Sequence, residues 1–245
     1  MIIKSPLVVG YKGEIGSFIL NGLLKEMPKA SDIWCVDVND DEEEVLSRIE
    51  KADYIFLCVP IEKTIAWLEE WETHLTDKFV IEQCSLKRTL FEQRIVKNRR
   101  INFISMHLLF KPSGTPNASD RICLLWKDNR FCNVGDNLIA NLGSNISNML
   151  NTIMVYDCKS FEEHDKVMAL QQSLVHRIIL ALDKMTSKDK HAQTFVGKRV
   201  KELANRIKLG NPLLYGIIQA NPHLEEVMKE FETELKNFNI NNYMK

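Results

Sequence analysis

Short apolar runs, spaced by longer stretches of helical period, fill the chain from residue 1 to about 157, and they restrict its possible folds more than any other feature. The runs are "PLVV" (6–9), "DIWCVD" (32–37), "DYIFLCV" (53–59), "FVIEQ" (79–83), "INFISM" (101–106), "RICLLW" (121–126) and "TIMVY" (152–156). They are rich in Val, Ile, Phe and Cys and continuous rather than alternating, as strands covered on both faces should be. Between the first two, Ile15, Phe18, Ile19, Leu23 and Leu24 share one face of a helix. Strand and helix in repetition predict an α/β fold built on a doubly wound parallel sheet.

In such a sheet the ligand lies beyond the carboxyl ends of the strands. Five suggestive positions fall on that edge. They are a glycine loop after the first strand, Asp37 ending the second, Val59-Pro60 closing the third, Ser85 after the fourth and His107 after the fifth. The loop reads "VVGYKGEIG", with Gly10, Gly13 and Gly16 each three apart. Dinucleotide-binding turns run G-x-G-x-x-G. Gly13 and Gly16 fill the second and third slots, for close approach of a pyrophosphate and for helix–strand packing. Tyr11 stands in the first slot, and Gly10 takes over its turn one residue earlier.

Alone, this motif fits a plain strand–turn–helix about as well as a cofactor loop. Asp37 tips the balance, because it lies 21 residues past Gly16 at a strand end, where a carboxylate can accept both ribose hydroxyls. The sheet therefore reads as Rossmann-like, with Gly10, Tyr11, Gly13, Glu14, Ile15, Gly16, Asp37, Val59 and Pro60 as cofactor-binding residues. The residues after Asp37 are "VNDDEEE", which would repel a 2′-phosphate, so NAD is expected rather than NADP. The run Asp40 to Glu44 otherwise reads as acidic residues solvated near a helix N-terminus.

Bulk composition excludes other classes. A formal charge of −1 lacks the basic excess of a nucleic-acid binder. Six cysteines form no C-x-x-C pair and sit mostly in apolar runs, so they read as reduced and buried, and no metal site is expected. No stretch approaches the roughly 20 apolar residues of a membrane span. The first strand begins at once, without a signal peptide, and a cytoplasmic protein is expected.

From about 158 onward the strand-like runs stop, which divides the chain into a sheet domain (1–157) and a helical domain (158–245). "SFEEHDKVMALQQSLVHRIILALDKM" opens with a capping box, Ser160 with Glu163, and predicts one long helix. On it His164, Met168, Gln172 and His176 step by four along one stripe. A second helix ends at "RIKLGNP", with Gly210 as its stop. Asn211-Pro212 and Asn221-Pro222 each read as an N-cap followed by proline at the first helical position. In the last helix Leu224, Val227, Met228, Phe231, Leu235 and Phe238 form an apolar stripe. So much apolar surface on a small helical domain predicts a homodimer formed through these helices.

The chain resembles the prephenate and arogenate dehydrogenases of tyrosine biosynthesis. The resemblance spans nearly its whole length. It is carried by "VVGYKGEIG", "ADYIFLCVPI", "QCSLKR", "SMHLLFKPS", "EEHDKVMALQQSLVH" and "RIKLGNPLLYGII", in the family's order. It implies a dinucleotide-binding domain followed by a helical dimerisation domain, and NAD-dependent oxidative decarboxylation of prephenate to 4-hydroxyphenylpyruvate.

His107 then matches the histidine that hydrogen-bonds the substrate hydroxyl and assists its deprotonation, and Ser85 the serine on the same hydroxyl. Arg206 matches the arginine that binds a substrate carboxylate, a task suited to a bidentate guanidinium. His164, Gln172, His176 and Lys111 complete the substrate-binding set. Lys87, Lys198 and Arg199 are weaker anion-binding candidates and read as solvated surface charges. The two halves fill the chain, so a separate chorismate mutase would supply prephenate.

Two departures stand out in "HLLFKP", where the family commonly has His-Pro-Met-Phe-Gly-Pro: Leu108 replaces a proline and Lys111 a glycine. Lys111 could meet the substrate's carboxylate, close over the cofactor or point into water. The alternative readings are an arogenate dehydrogenase, another NAD(P)-dependent hydroxy-acid dehydrogenase of similar build, and an NAD-binding dimer without turnover.

Overall fold

A computed structural model describes residues 3–27, 32–114, 117–156, 158–186 and 194–239. It divides into two compact units, Met1–Phe161 and Glu162–Lys245.

The first unit is built on strands β1 (Pro6–Val9), β2 (Trp34–Val36), β3 (Tyr54–Leu57), β4 (Phe79–Glu82), β5 (Asn102–Leu108), β6 (Ile122–Trp126) and β7 (Ile153–Val155). Each of the expected apolar runs forms a strand, and the order across the sheet is β2-β1-β3-β4-β5-β6-β7. Strands β1 to β5 are mutually parallel, so their carboxyl ends share one edge.

The sheet is not parallel throughout, because β6 runs antiparallel to β5. Among the described residues, the segment 109–121 that joins these two strands holds short 3₁₀ turns, at Pro112–Gly114 and Ala118–Asp120. Without a crossover helix the chain simply turns back. Helix α5 (Asp136–Leu150) then serves as a crossover, and β7 lies parallel to β6.

Helix α1 (Glu14–Glu26) follows β1 and buries Gly16, Ile19, Gly22 and Leu23, while Leu24, expected on the same face, is exposed. A Cβ on Gly22 would come within 2.8 Å of Met149 and Leu150, so glycine lets α1 and α5 approach closely on one face of the sheet. The core of this unit gathers Val8, Phe56, Ile81, Ile104, Met106 and Leu125 from the strands with Ile19, Leu142 and Ile146 from those two helices. Helix α2 (Glu42–Lys51) is capped by Asp41, whose carboxylate accepts the Glu43 amide at 2.9 Å. The acidic run thus sits at a helix N-terminus, where it is favourable. Helices α3 (Ile61–Trp71) and α4 (Arg88–Phe91) follow β3 and β4.

In the second unit the predicted long helix is interrupted. Helix α6 (Phe161–Met168) passes into a π-turn (Ala169–Leu174) before α7 (Val175–Thr186). The Ser173 hydroxyl donates to the Ile218 carbonyl at 2.8 Å, and the Gln219 side chain donates to the Ser173 carbonyl at 3.1 Å. Contacts that recruit the backbone in this way accompany such a widening of the helix.

Helix α8 (Phe195–Lys208) is capped by Thr194, and α9 (Pro212–Gln219) by Asn211 with proline at its first turn, as the sequence suggests. Helix α10 (Leu224–Asn237) begins two residues beyond Pro222. The Asn221-Pro222 pair therefore forms the turn before the helix, in which the Asn221 side chain accepts the His223 amide at 3.0 Å. Leu224 and Val227 of α10 pack with Ala169 and Leu174, with Met228 and Phe231 alongside, but Leu235 and Phe238 of the expected stripe are exposed. Gly210 ends α8 without adopting the left-handed conformation. A side chain there would collide with the ring of Tyr215, and this packing demands the glycine.

Candidate functional site

At the carboxyl edge of β1, Gly10 has φ +79° and donates its amide to the Val36 carbonyl at 2.8 Å. A Cβ there would lie 2.6 Å from Val59 Cγ1 and 2.9 Å from the Cys58 carbonyl oxygen, so conformation and space both require glycine. Gly16 is equally constrained. Its Cβ would run into the Gly10 carbonyl and lie 2.8 Å from Tyr11 Cα, so α1 can sit this close to the loop only without a side chain. Gly13, the N-cap of α1, is looser: a Cβ would be 3.3 Å from the Gly10 oxygen. It is exposed, has extended backbone, and offers the first-turn amides no side-chain cap. Tyr11 and Ile15 turn their side chains against the core, so the ring that replaces a loop glycine is partly buried.

Asp37 ties this loop to the end of β2. Its carboxylate accepts the Lys12 amide at 3.0 Å and the Val38 amide at 2.9 Å, while its own amide donates to Asp40 at 3.0 Å. A carboxylate has about four acceptor positions, so two amides leave room for further donors. The cation beside it, Arg48 of α2, is already engaged by Asp40 at 3.1 Å, by Glu44 and by the Cys35 carbonyl on the outer edge of the sheet. Pro60 is the N-cap of α3, and the Thr64 amide donates to its carbonyl at 2.8 Å.

Glu14, first residue of α1, accepts the Ser113 amide at 2.9 Å, and Lys111 Nζ lies 3.7 Å from its other oxygen. Partial burial raises its pKa, but the hydrogen bond from Ser113 and the Lys111 charge outweigh that and hold the carboxyl below its ordinary value. Lys111 itself is 69% exposed.

Ser85 is half-buried beyond the end of β4. His107 lies within β5 rather than after it. It is opposite Leu124 and 6% exposed, so the strand carries the histidine to the same edge as a rigid element. Two residues before it, the buried Ser105 hydroxyl has no hydrogen-bond partner among the described residues.

The largest correction concerns Lys87. Expected at the surface, it is fully buried and ion-paired at 2.7 Å with Glu82, which is also fully buried at the end of β4. Its ammonium donates to the Met106 carbonyl at 3.1 Å and lies 5.1 Å from the centre of the Trp126 ring. The second Glu82 oxygen accepts the Cys84 amide at 2.8 Å. The sequence did hold a signal for this: a carboxylate inside a strand covered on both faces demands a cation, and Lys87 lies only five residues on. Lys198 and Arg199 are exposed, as expected.

Burial pushes the thiols of Cys58 and Cys84 upward, and that of Cys123 to about 12, so these cysteines behave as small apolar residues and not as nucleophiles. The six cysteines are thiols outside any disulfide, with Cys35 and Cys58 only half-buried.

The second unit holds the remaining candidates. His164 is completely buried, with Nδ1 2.7 Å from Asp165. The Asp165 carbonyl in turn accepts the Asn221 side chain at 2.7 Å. His176 is half-buried, and its buried Nδ1 has no hydrogen-bond partner among the described residues. Its ring lies 5.3 Å from that of Tyr215, and burial lowers its pKa. Gln172 lies half-buried in the π-turn, which breaks the regular step of four between His164 and His176. Arg206, exposed in the last turn of α8, has no ion pair among the described residues. Among the described residues no group of three or more His, Cys, Asp or Glu is placed to hold a metal ion, and no helix is long and apolar enough to cross a membrane.

A Rossmann-like sheet with a glycine cradle at its carboxyl edge, followed by an all-helical unit, is the architecture of nucleotide-binding dehydrogenases. The sequence model for the nucleotide-binding domain of prephenate dehydrogenase matches residues 20–124, and that for the prephenate dehydrogenase dimerization domain matches residues 160–242. The chain belongs to the prephenate dehydrogenase family.

Among solved structures it is similar to a Corynebacterium glutamicum protein assigned as a prephenate dehydrogenase, with TM-score 0.71 and 16% identity over 96% of this chain and 80% of that one. It is also similar to the Aquifex aeolicus prephenate dehydrogenase in complex with hydroxyphenyl propionate and NAD+, with TM-score 0.65 and 16% identity over 95% and 88%. A pyrroline-5-carboxylate reductase from Coxiella burnetii shares the fold at TM-score 0.53 and 13% identity, over 96% and 92%. At such identities the likeness is one of fold. No curated protein matches the chain. The nucleotide-binding match begins beyond the glycine loop, so the loop's assignment rests on its own geometry.

Proposed function

We propose that the chain is an NAD-dependent prephenate dehydrogenase. The observation that carries this reading is the tight glycine turn at the carboxyl edge of β1: Gly10 and Gly16 let strand, loop and helix pack closer than any side chain would allow, and Asp37 fastens the loop between them. That turn fits the pyrophosphate and ribose of a dinucleotide. Arg48, neutralised by Asp40 and Glu44, is not free to meet a 2′-phosphate, which supports NAD over NADP.

NAD, when bound, supplies the hydride acceptor. The chain's own residues hold and polarise the substrate. His107, fixed by β5, accepts the proton of the ring hydroxyl as hydride leaves the carbon bearing it, and Ser85 hydrogen-bonds the same hydroxyl. The electrons of the bond to the departing carboxylate complete the aromatic ring, and carbon dioxide leaves. Aromatisation favours the reaction, so the protein's share is positioning and polarisation. Arg206, exposed and without an ion pair among the described residues, offers its guanidinium to a substrate carboxylate. Of His164 and His176, His176 suits a substrate contact because its Nδ1 has no hydrogen-bond partner among the described residues, whereas His164 already holds Asp165. The apolar residues exposed on α8 and α9 belong, in this reading, to a homodimer interface.

The test is NADH formation by purified protein with NAD and prephenate, run beside arogenate and a His107→Asn variant. Turnover of prephenate that the variant loses supports the assignment. Turnover of arogenate alone makes the chain an arogenate dehydrogenase, and silence with both substrates despite NAD binding removes it from this chemistry.

A further inference from the structure

The connection between β5 and β6 is fastened at two points to the helix that follows the glycine loop. The Phe110 ring meets the Phe18 ring edge-on at 5.7 Å, and the Ser113 amide donates to Glu14 at 2.9 Å. Lys111 stands between these anchors, with its ammonium 3.7 Å from the Glu14 carboxylate. That separation is well beyond the 2.7–2.9 Å of a charge-assisted hydrogen bond, and an ion pair this exposed holds its partners weakly. The ammonium is kept at the first turn of α1 without being committed there.

The same turn presents a charge problem. Rossmann-type loops set a pyrophosphate at the helix N-terminus. Here the first helical residue is Glu14, whose carboxylate is held below its ordinary pKa and is therefore ionised at neutral pH. Asp37 is hydrogen-bonded to the loop itself, and the neighbouring Lys12 ammonium rests 5.4 Å over the Tyr11 ring. A doubly negative pyrophosphate arriving beside Glu14 needs a cation. Lys111 is the ammonium held within reach.

We infer that Lys111 is the cationic ligand of the dinucleotide's pyrophosphate, carried to the glycine loop by a strap that Ser113 latches onto Glu14. This inference rests on the NAD reading above. Lys111 exchanges a loose contact with one carboxylate for a bridging position between that carboxylate and the phosphates. The strap also joins β5, which bears His107, to the helix that follows the cofactor loop.

The inference is tested by calorimetric titration of wild type, Lys111→Ala, Lys111→Arg and Glu14→Gln with NAD, ADP-ribose and AMP, at low and moderate salt. ADP-ribose keeps the pyrophosphate without the nicotinamide, and AMP lacks the pyrophosphate. K111A should bind NAD and ADP-ribose about tenfold more weakly, the usual consequence of losing a hydrogen bond to a charged group. Its affinity for AMP should change little and its salt dependence should be shallower, while K111R retains most of the affinity. E14Q keeps an acceptor for Ser113 but removes the negative charge, so it should tighten both pyrophosphate ligands. Wild-type affinity of K111A for NAD and ADP-ribose overturns the role of Lys111 while leaving the cofactor reading intact. Failure of the wild type to bind either ligand overturns both.

Discussion

Glu82 and Lys87 form an ion pair of 2.7 Å in which both side chains are 0% exposed, at the end of β4. Lys87 also donates to the Met106 carbonyl, in the peptide bond that leads into His107. The pair thereby links β4, the segment carrying Ser85, and β5. Taking two charges out of water is costly, and their attraction offsets that cost only when geometry is good and the remaining hydrogen-bonding positions are filled. Here Cys84, Met106 and the Trp126 ring fill positions around the pair.

Breaking the pair from one side leaves an uncompensated charge in the core. Lys87→Met should destabilise the sheet unit by about 3–5 kcal/mol. The double variant E82M/K87M should recover much of that loss, because two apolar side chains leave no charge buried. Chemical denaturation of the two variants and the wild type checks this. Equal loss in the single and double variants would show that the pair's geometry, and not its charge balance, holds the strands.

Gly16 and Gly13 of the loop should differ sharply. Gly16→Ala places a methyl group against the Gly10 carbonyl and should cost about 1–3 kcal/mol, the usual cost of overpacking, and abolish NAD binding with it. Gly13→Ala meets that oxygen only at 3.3 Å and should fold normally, with a smaller loss of affinity. Melting curves with and without NAD separate the two. A G16A protein that binds NAD like the wild type would mean that the loop can shift without losing its ligand.

Leu209 is 87% exposed, and Leu213 and Leu214, a few residues on, are exposed as well. Exposed apolar side chains gathered in one short segment mark an interaction surface more often than chance. Leu209→Asp adds a charge to a side chain that contributes nothing to packing within the chain, so folding should be untouched. If the homodimer forms here, sedimentation should show a dimer for the wild type and a monomer for L209D at micromolar concentration. A wild-type monomer would remove the dimer from the proposed function.

The strands were legible because parallel strands covered on both faces must be continuously apolar, and the runs at 6–9, 79–83 and 121–126 leave no other assignment. The direction of β6 was not legible, since direction depends on whether the connection can cross over the sheet, and "LFKPSGTPNASDR" does not declare its turns as helical or 3₁₀. Lys87 was misjudged for a related reason. Glu82, five residues earlier, signals a cation, but the Met106 carbonyl and the Trp126 ring that complete the lysine's burial lie on β5 and β6 and reach it only when the sheet is assembled. The π-turn escaped as well, because it is set by Ser173 and Gln219, 46 residues apart in the chain. Periodicity reports what a segment does alone, whereas these features arise from its neighbours.

His176 gives the pH prediction. Burial disfavours its charged form, so the folded protein binds that proton less tightly than the unfolded chain, where an imidazole titrates at about 6.5. Between the ordinary value and the lowered one, the unfolded state carries more protons. The stability associated with a neutral His176 is therefore complete above about pH 6.5 and is lost as the pH falls through the lowered value. The carboxyls of Glu14, Glu72 and Glu226 are also lowered, but from 4.5, so they act at more acidic pH. Denaturation midpoints of the wild type should fall between pH 7 and pH 5 by more than those of a His176→Phe variant. The His176 resonances should titrate below 6.5 by NMR. Titration at or above 6.5 would mean that Nδ1 has gained an acceptor that stabilises the imidazolium, and the case for His176 as an uncommitted substrate contact would fail with it.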